Sequence, residues 1–545
     1  MIKTFISESI KEAVKSAYNI EPEIEPTITE SSEGKFGDYS TQISFQLSKL
    51  LRKNPNLIAE ILKDILKANN YFDKVDVIGG YINFFVNINS YHQAIGKVIE
   101  EGENYSKKRY ISNEKILIEF VSSNPTGPMV IVNARAAAIG DSLIRILNWR
   151  GFKAFSEFYV NDSGNQVKLL GLSCNAIYKQ LNGGNAEIPK NGYHGKYLVD
   201  FVKLVSENNP DIKNMNNEEI DKFLGEKAVK YFHDLQIESL KNFRVNFDYI
   251  IHEKSIREKD LPEFVVEQLR QNNLLYTKEN AIFFKSTDFG DDKDRPIIKG
   301  NGEYAYILPD AAYHEDKMRR GFDYLIDIFG PDHHGYKKRL KAIFQAMGYN
   351  PDHLEIILHQ MVNLTNEGNK IRMSKRKGYI VSLDDLIDDI GKDAARFFFV
   401  LRKLNSHLDF DLELAKQKTE ENPVYYVQYA HARISSIIRF ANEKEIDLAE
   451  KPDISTLREE KELMLIKKII QFPEILDDVI SHREPSILPR YLIELSSKFH
   501  NFYNDIRVVT DDKELTRARI TLIKAVKNTL RIGLDLIGVD APEKM

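Results

Sequence analysis

Cysteine is almost missing from this 545-residue chain: Cys174 is the only one. A single thiol excludes an intramolecular disulfide and any zinc site built on several thiolates, and it fits a reducing cytoplasm. Long apolar runs are missing as well. No stretch approaches the roughly 20 apolar residues of a transmembrane helix, so no membrane partner is expected. The opening segment, MIKTFISESIKEAVKSAYNI, has the pattern of an amphipathic helix dotted with charges and lacks the unbroken apolar core of a signal peptide. A basic excess is lacking too. Net charge is −5, so a nucleic-acid partner would have to be held by local patches. There is no repeat of solenoid period and no low-complexity tract. What is present is a globular balance, 42% hydrophobic and 29% charged, with material for about three or four domains.

Taken in order, residues 1–88 read as a small α/β domain closed by VDVIGGYINFFVN. Gly79 and Gly80 suggest a turn into a strand there, with Phe84 and Phe85 in the core. Residues 89–110 read as a helix and a charged connection. From 111 to 405 strand and helix patterns alternate, which predicts a mostly parallel sheet covered by helices. Strand candidates after the opening ILIEFV are FSEFYV, AIFFKS, AYILP, YLIDIFG and EIILHQMV. The more polar, helical stretch at about 171–260 reads as an insertion into that domain. Residues 406–545 are helical, with apolar residues recurring at three and four, and predict an α-helical bundle.

Three segments carry chemistry. In the first, residues 116–147, an apolar strand turns through Ser122–Pro128 into an alanine-rich helix. Such a turn sets free N–H groups and a positive helix end at the carboxyl edge of a sheet, a ready anion site, although it is also an ordinary βα unit. The second, NEGNKIRMSKRKGYIVSLDDLI, is a glycine-flanked basic run. It reads as a solvated loop, or as one that closes over a triphosphate with its ammonium groups on the leaving pyrophosphate. The third ends the strand YLIDIFG with Asp332, His333 and His334. Adjacent histidines on a turn rarely ligate one ion, so ribose or phosphate contact fits better than metal. In the bundle, Tyr425, Tyr429 and Arg433 stand among basic and aromatic residues that suit packing or an RNA loop.

Together these segments resemble a class I aminoacyl-tRNA synthetase, specifically the arginyl-tRNA synthetase family. SSNPTGP resembles the entry to the family's HIGH signature, and RMSKRKG its KMSKS loop. AYILPDAAYHEDKMRRGFD with GPDHHGY resembles the arginine-pocket region. ENPVYYVQYAHAR resembles the opening of the anticodon-binding bundle, and GDYSTQ lies in what resembles the tRNA-elbow module. The resemblance runs from end to end. It implies a Rossmann-like catalytic domain, a ligation of arginine to its tRNA driven by ATP with Mg²⁺ on the phosphates, a requirement for bound tRNA during activation, and a cytoplasmic monomer.

Arginine recognition needs buried acceptors for a guanidinium fork. Glu119 and Asp310 are the candidates, with Tyr306 and Tyr313 adding a hydroxyl or a cation–π face and Asn124 holding the substrate's α-amino or carboxylate group. The competing reading of Glu119 is a strand residue paired to a neighbouring lysine. By resemblance the nucleotide site takes Ser122, Pro125, Gly127, Pro128, Val130, Val132, Asn133, His333, His334, Met373, Ser374 and Lys375, with Lys375, Lys377 and Asn133 catalytic.

The HIGH positions depart from the family. Val130, Ile131, Val132 and Asn133 stand where His-x-Gly-His belongs, and losing one such donor costs roughly 3–4 kcal/mol in the transition state. Two accounts compete: a rebuilt nucleotide pocket, which the intact remaining motifs favour, and a tRNA-binding relative with impaired catalysis. A different amino-acid specificity would leave two acidic residues without a use.

Overall fold

The computed structural model describes every residue except 1, 21–24, 32–35, 109, 334, 367–368, 372–380, 445 and 449–450. Its centre is a five-stranded parallel sheet: β1 (Lys115–Glu119), β2 (Lys153–Val160), β3 (Tyr249–His252), β4 (Tyr324–Phe329) and β5 (Leu354–Leu358), in the order β5-β4-β1-β2-β3. This is the doubly wound arrangement, in which strand order reverses beside the first strand and ligands bind at the carboxyl edge there. β1 reads KILIE, and Ile116, Leu117 and Ile118 are all buried, as a strand covered on both faces requires.

Helix α1 (Ile131–Trp149) returns across the sheet. Its small residues let it lie close. A Cβ on Gly140 would fall 2.4 Å from the ring of Phe120, so glycine is needed where that ring packs. Between β2 and β3 the chain leaves the sheet for three helices, Asn165–Leu181, Lys196–Asn208 and Asn217–Asn242, which share a core of their own around Leu170, Cys174, Phe201, Leu224 and Phe232.

Two strand expectations need correction. AIFFKS does give a strand, Ala281–Phe284, but in a separate antiparallel sheet with Leu275–Lys278 and Arg295–Ile298. AYILP is no strand at all. Ile307 opens the helix α2 (Ile307–Arg319), with Pro309 tolerated in the first turn and Asp310 favourable there.

The N-terminal unit is a four-stranded antiparallel sheet backed by the helices Ile2–Tyr18, Ile43–Leu51 and Pro55–Leu66. Gly79 and Gly80 make its hairpin with positive φ at both positions. Phe84 is buried, but Phe85 is only half-buried and carries Lys74 over its ring, so the expected core pair is one core residue. The helix Ile88–Glu101 joins this unit to the rest and packs on Glu460–Ile470. His92 bonds the Leu457 carbonyl at 2.8 Å, and the Tyr105 hydroxyl donates to the Ile469 carbonyl at 3.0 Å. The C-terminal part is a helical bundle including Pro423–Glu443, Ile487–Asp505 and Lys513–Leu536.

Among the described residues the largest fully buried side chains are three arginines, Arg135, Arg150 and Arg396. Arg150 meets Asp477 and Arg396 meets Asp141, each across elements distant in sequence.

Candidate active site

Three carboxylates stand side by side across the middle of the sheet. Glu119 on β1 is in register with Glu157 on β2 and with Asp327 on β4. All three are buried. Such a row is stable only with cations against it. Helix α2 and the residue after it supply them from one face. Lys317 lies 2.6 Å from Glu119 Oε2 and 2.8 Å from Asp327 Oδ1, and Arg320 lies 2.6 Å from Glu157 Oε2. His314 Nε2 meets Asp327 Oδ2 at 2.8 Å, and the Tyr313 hydroxyl donates to Glu157 Oε1 at 2.5 Å. Burial alone would raise the Asp327 carboxyl; Lys317 and His314 hold it well below the carboxylate range. Glu119 goes the other way, because its desolvation outweighs the Lys317 charge.

This arrangement redefines two expected arginine contacts. Glu119 is paired to a lysine, the competing reading, with Ser122 Oγ donating to its other oxygen at 2.8 Å. Tyr313 is buried, its hydroxyl is committed to Glu157, its ring stacks on Tyr159 at 4.2 Å, and the cation over its face is Lys317 at 4.3 Å. Its expected cation–π partner is therefore the protein's own ammonium group.

Closer to solvent the groups are open. Asp310, in the first turn of α2, is half-buried and bonded by the Tyr336 hydroxyl. Desolvation raises its carboxyl pKa against that hydrogen bond, so its charged form gains from a cationic partner. Tyr306 precedes the same helix and is 88% exposed, free to meet a ligand. Asn124 accepts from Asn161 Nδ2 at 2.9 Å, which leaves its own Nδ2 without a partner among the described residues.

The turn after β1 is tightly held. Val121 and Ser122 adopt positive φ, 70° and 36°, a strained conformation for residues other than glycine. Tyr159 N–H donates to Ser122 Oγ at 3.1 Å. Gln236, from the helical insertion, accepts from Ser123 and donates to the carbonyls of Asn124 and Gly127 at 3.1 and 2.7 Å. Pro125 and Gly127 are buried and Pro128 is half-buried. A Cβ on Gly127 would come within 3.0 Å of the Tyr197 ring.

Val130 is the N-cap of α1 and offers no side-chain cap. The N–H groups of Asn133 and Ala134 turn back to its carbonyl, and no intrahelical partner exists for those of Ile131 and Val132. Val132 is half-buried against the core and Asn133 is half-buried. His333 is exposed beside Phe329, their rings 5.0 Å apart. His334, Met373, Ser374, Lys375 and Lys377 lie outside the described residues. The flank Ser382, however, forms a β-bridge with Val130, and Leu383 N–H donates to the Met129 carbonyl at 2.9 Å.

In the bundle, the rings of Tyr425 and Tyr429 stack at 6.2 Å with His500 beside them. Arg433, one turn on, donates to the Tyr503 hydroxyl at 2.6 Å and lines a groove of about 650 Å³ with Phe440 and Arg507. Sequence reading missed Lys317, His314, Glu157, Asp327 and Gln236. The available signal was an acid in the middle of each apolar strand, FSEFYV and YLIDIF, facing basic residues at helical spacing.

Three family models match the chain in succession: the arginyl tRNA synthetase N terminal domain over residues 4–86, the class I (R) tRNA synthetase catalytic domain over 94–403, and the DALR anticodon binding domain over 427–545. An arginine–tRNA ligase of Symbiobacterium thermophilum is 42% identical over 513 residues, 93% of this chain and 92% of the relative. One of Bacillus licheniformis is 43% identical over 514 residues, again 93% and 92%. The solved arginyl-tRNA synthetase of Thermus thermophilus superposes with a TM-score of 0.81 at 21% identity, covering 100% of both chains, a likeness of fold.

Proposed function

The chain belongs to the arginyl-tRNA synthetase family and is an arginine–tRNA ligase, and from that premise we propose how its residues divide the work. ATP is the family's second substrate. The carboxylate of arginine attacks the α-phosphate, pyrophosphate leaves, and the resulting mixed anhydride is opened by a ribose hydroxyl at the 3′ end of the tRNA, releasing AMP. Both steps depend on alignment and on stabilising displaced charge.

Asp310 is the guanidinium acceptor. The observation that carries this is its position: it is the carboxylate of the site that is half-buried, raised by desolvation, and without an ion-pair partner among the described residues, while Glu119, Glu157 and Asp327 are already paired. Tyr306 covers the bound side chain. Asn124 Nδ2 holds the substrate's carboxylate. Glu119 acts behind these, holding Ser122 and thus the strained turn.

The ATP phosphates lie at the open end of α1, where the Ile131 and Val132 N–H groups and the helix dipole favour negative charge. Asn133 stands in for a HIGH histidine. His333 and His334 border the nucleotide, and Met373, Ser374, Lys375 and Lys377 complete the phosphate side. Mg²⁺ travels with the ATP oxygens; among the described residues no group of three acids, histidines or cysteines could hold a metal, and no step is assigned to it. Tyr425, Tyr429 and Arg433 contact the tRNA, residues 1–88 its elbow, and 406–545 its anticodon arm, with 111–405 catalytic. We take the working form to be a cytoplasmic monomer.

The impaired-relative reading is not favoured: ligases match over 93% of the chain. Charging of arginine tRNA in the presence of ATP and arginine tests the proposal. Tight tRNA binding without arginyl-tRNA formation would overturn it.

A further inference from the structure

Arg135 differs from the other two fully buried arginines in having no carboxylate bonded to it among the described residues. It is 0% exposed. Its guanidinium donates to three carbonyls: Nη1 to Gln360 at 3.1 Å and to Ser406 at 3.0 Å, and Nη2 to Lys403 at 2.8 Å. Nε finds no acceptor among the described residues. The Glu484 carboxylate, on the turn that follows the bundle helix Phe472–His482, favours the charge at a distance without a hydrogen bond to it. A buried cation hydrogen-bonded by carbonyls alone, with its carboxylate only at a distance, is costly, so this geometry is not explained by the stability it adds.

The three carbonyls have a common position. Gln360 lies just before the strand Val362–Asn366, and Lys403 and Ser406 lie just before Leu408–Asp411. These strands pair in parallel, Val362 opposite Leu408, and Val362–Asn366 pairs on its other edge with Asn369–Ile371. Arg135 therefore grips the feet of the small sheet that leads into the basic segment. The far flank of that segment is tied to the same helix, through the Val130–Ser382 bridge. Val130, the N-cap of α1, and Arg135 in its second turn thus hold the two flanks, and Asn133 lies between these attachment points.

We propose that Arg135 is a positioning residue for amino-acid activation, fixing the small sheet at a set distance from the first turn of α1, where the nucleotide binds. It touches neither substrate nor tRNA. Its effect falls on the turnover of activation and not on the affinity for arginine or tRNA. This rests on the ligase reading above.

The test uses the full-length protein with its tRNA present. Arginine-dependent ATP–pyrophosphate exchange is measured for the unsubstituted protein, Arg135→Met and Arg135→Lys, with tRNA affinity measured alongside. The methionine variant should lose at least ten-fold in kcat, with the arginine KM and the tRNA Kd within two-fold. The lysine variant, able to reach one or two of the three carbonyls, should fall between, and it carries the test if the methionine variant does not fold. A folded variant with unchanged kcat, or one whose loss lies in KM or tRNA affinity, overturns the proposal. Absence of exchange in the unsubstituted protein would instead count against the ligase reading.

Discussion

Lys317 reaches Glu119 from the helix covering the sheet, with the ammonium nitrogen 2.6 Å from Oε2. The acid that ends the opening strand of the nucleotide fold is therefore neutralised inside the protein before any substrate arrives. Asp310, a little further out, is the carboxylate we propose for the guanidinium.

Asp310→Asn should raise the KM for arginine about 10- to 100-fold, the equivalent of losing one charge-assisted contact. The KM for ATP should stay within a factor of about two. Exchange kinetics at varied arginine measure both. An unaltered arginine KM would remove Asp310 from the pocket.

Asn133→Ala tests the rebuilt nucleotide corner. If the amide replaces a histidine donor, kcat for activation should fall about 10- to 100-fold while arginine affinity holds. A rate equal to that of the unsubstituted protein would leave the corner to backbone N–H groups alone.

Lys375→Ala should slow activation far more than it weakens tRNA. Single-turnover adenylate formation and filter binding separate the two. Equal losses in both would recast the basic segment as an RNA contact.

Lys317→Met should cost about 3–5 kcal/mol of stability, because it strands two carboxylates in the interior. Denaturant unfolding gives the value. The acid limb follows from the same group of residues. Asp327 is held below its unfolded pKa of about 3.9, so it contributes stability above that pH and loses it as pH falls through the folded value. Lys317 is raised, so its contribution is intact below about pH 10 and is lost only as pH climbs through the folded value. Glu119, raised by burial, has the opposite sign to Asp327 and softens the acid loss. Asp327→Asn should therefore lower Tm at neutral pH yet flatten its decline below about pH 4. A decline as steep as in the unsubstituted protein would show that other carboxylates set the limb.

The sheet was readable because β1, β2 and β4 are short apolar runs followed by turn residues, and parallel strands buried on both faces leave that trace. AYILP has the same look and became a helix start. Five apolar or aromatic residues carry no period, and Pro309 and Asp310 decide the matter through helix geometry. Asp310, Asn124 and Tyr306 were named as arginine contacts from the family resemblance and the chemistry of a guanidinium, and the fold sets Asp310 and Tyr306 at one helix start. Lys317 was not named, although its residue type was weighed as a partner for Glu119. The pairing spans 198 positions, and only the strand register brings Glu119, Glu157 and Asp327 to one level. Phe85 failed for a related reason: alternation along a strand sends one of two adjacent phenylalanines outward.

The N-terminal unit is fastened to the bundle. Lys3 meets Glu474 at 3.0 Å, Lys467 meets Asp38 at 2.5 Å, and Gln471 donates to Glu30 at 2.7 Å, in addition to the His92 and Tyr105 contacts. Mechanically, the two ends of the chain form the jaws of one caliper. The span between them is set by short side-chain bonds and the packing of Ile88–Glu101 on Glu460–Ile470 rather than by a flexible linker. In the reading proposed above, a tRNA that contacts both jaws is gauged for length as well as for chemistry. Lengthening the Ile88–Glu101 connection would change that gauge without touching a residue of the catalytic sheet.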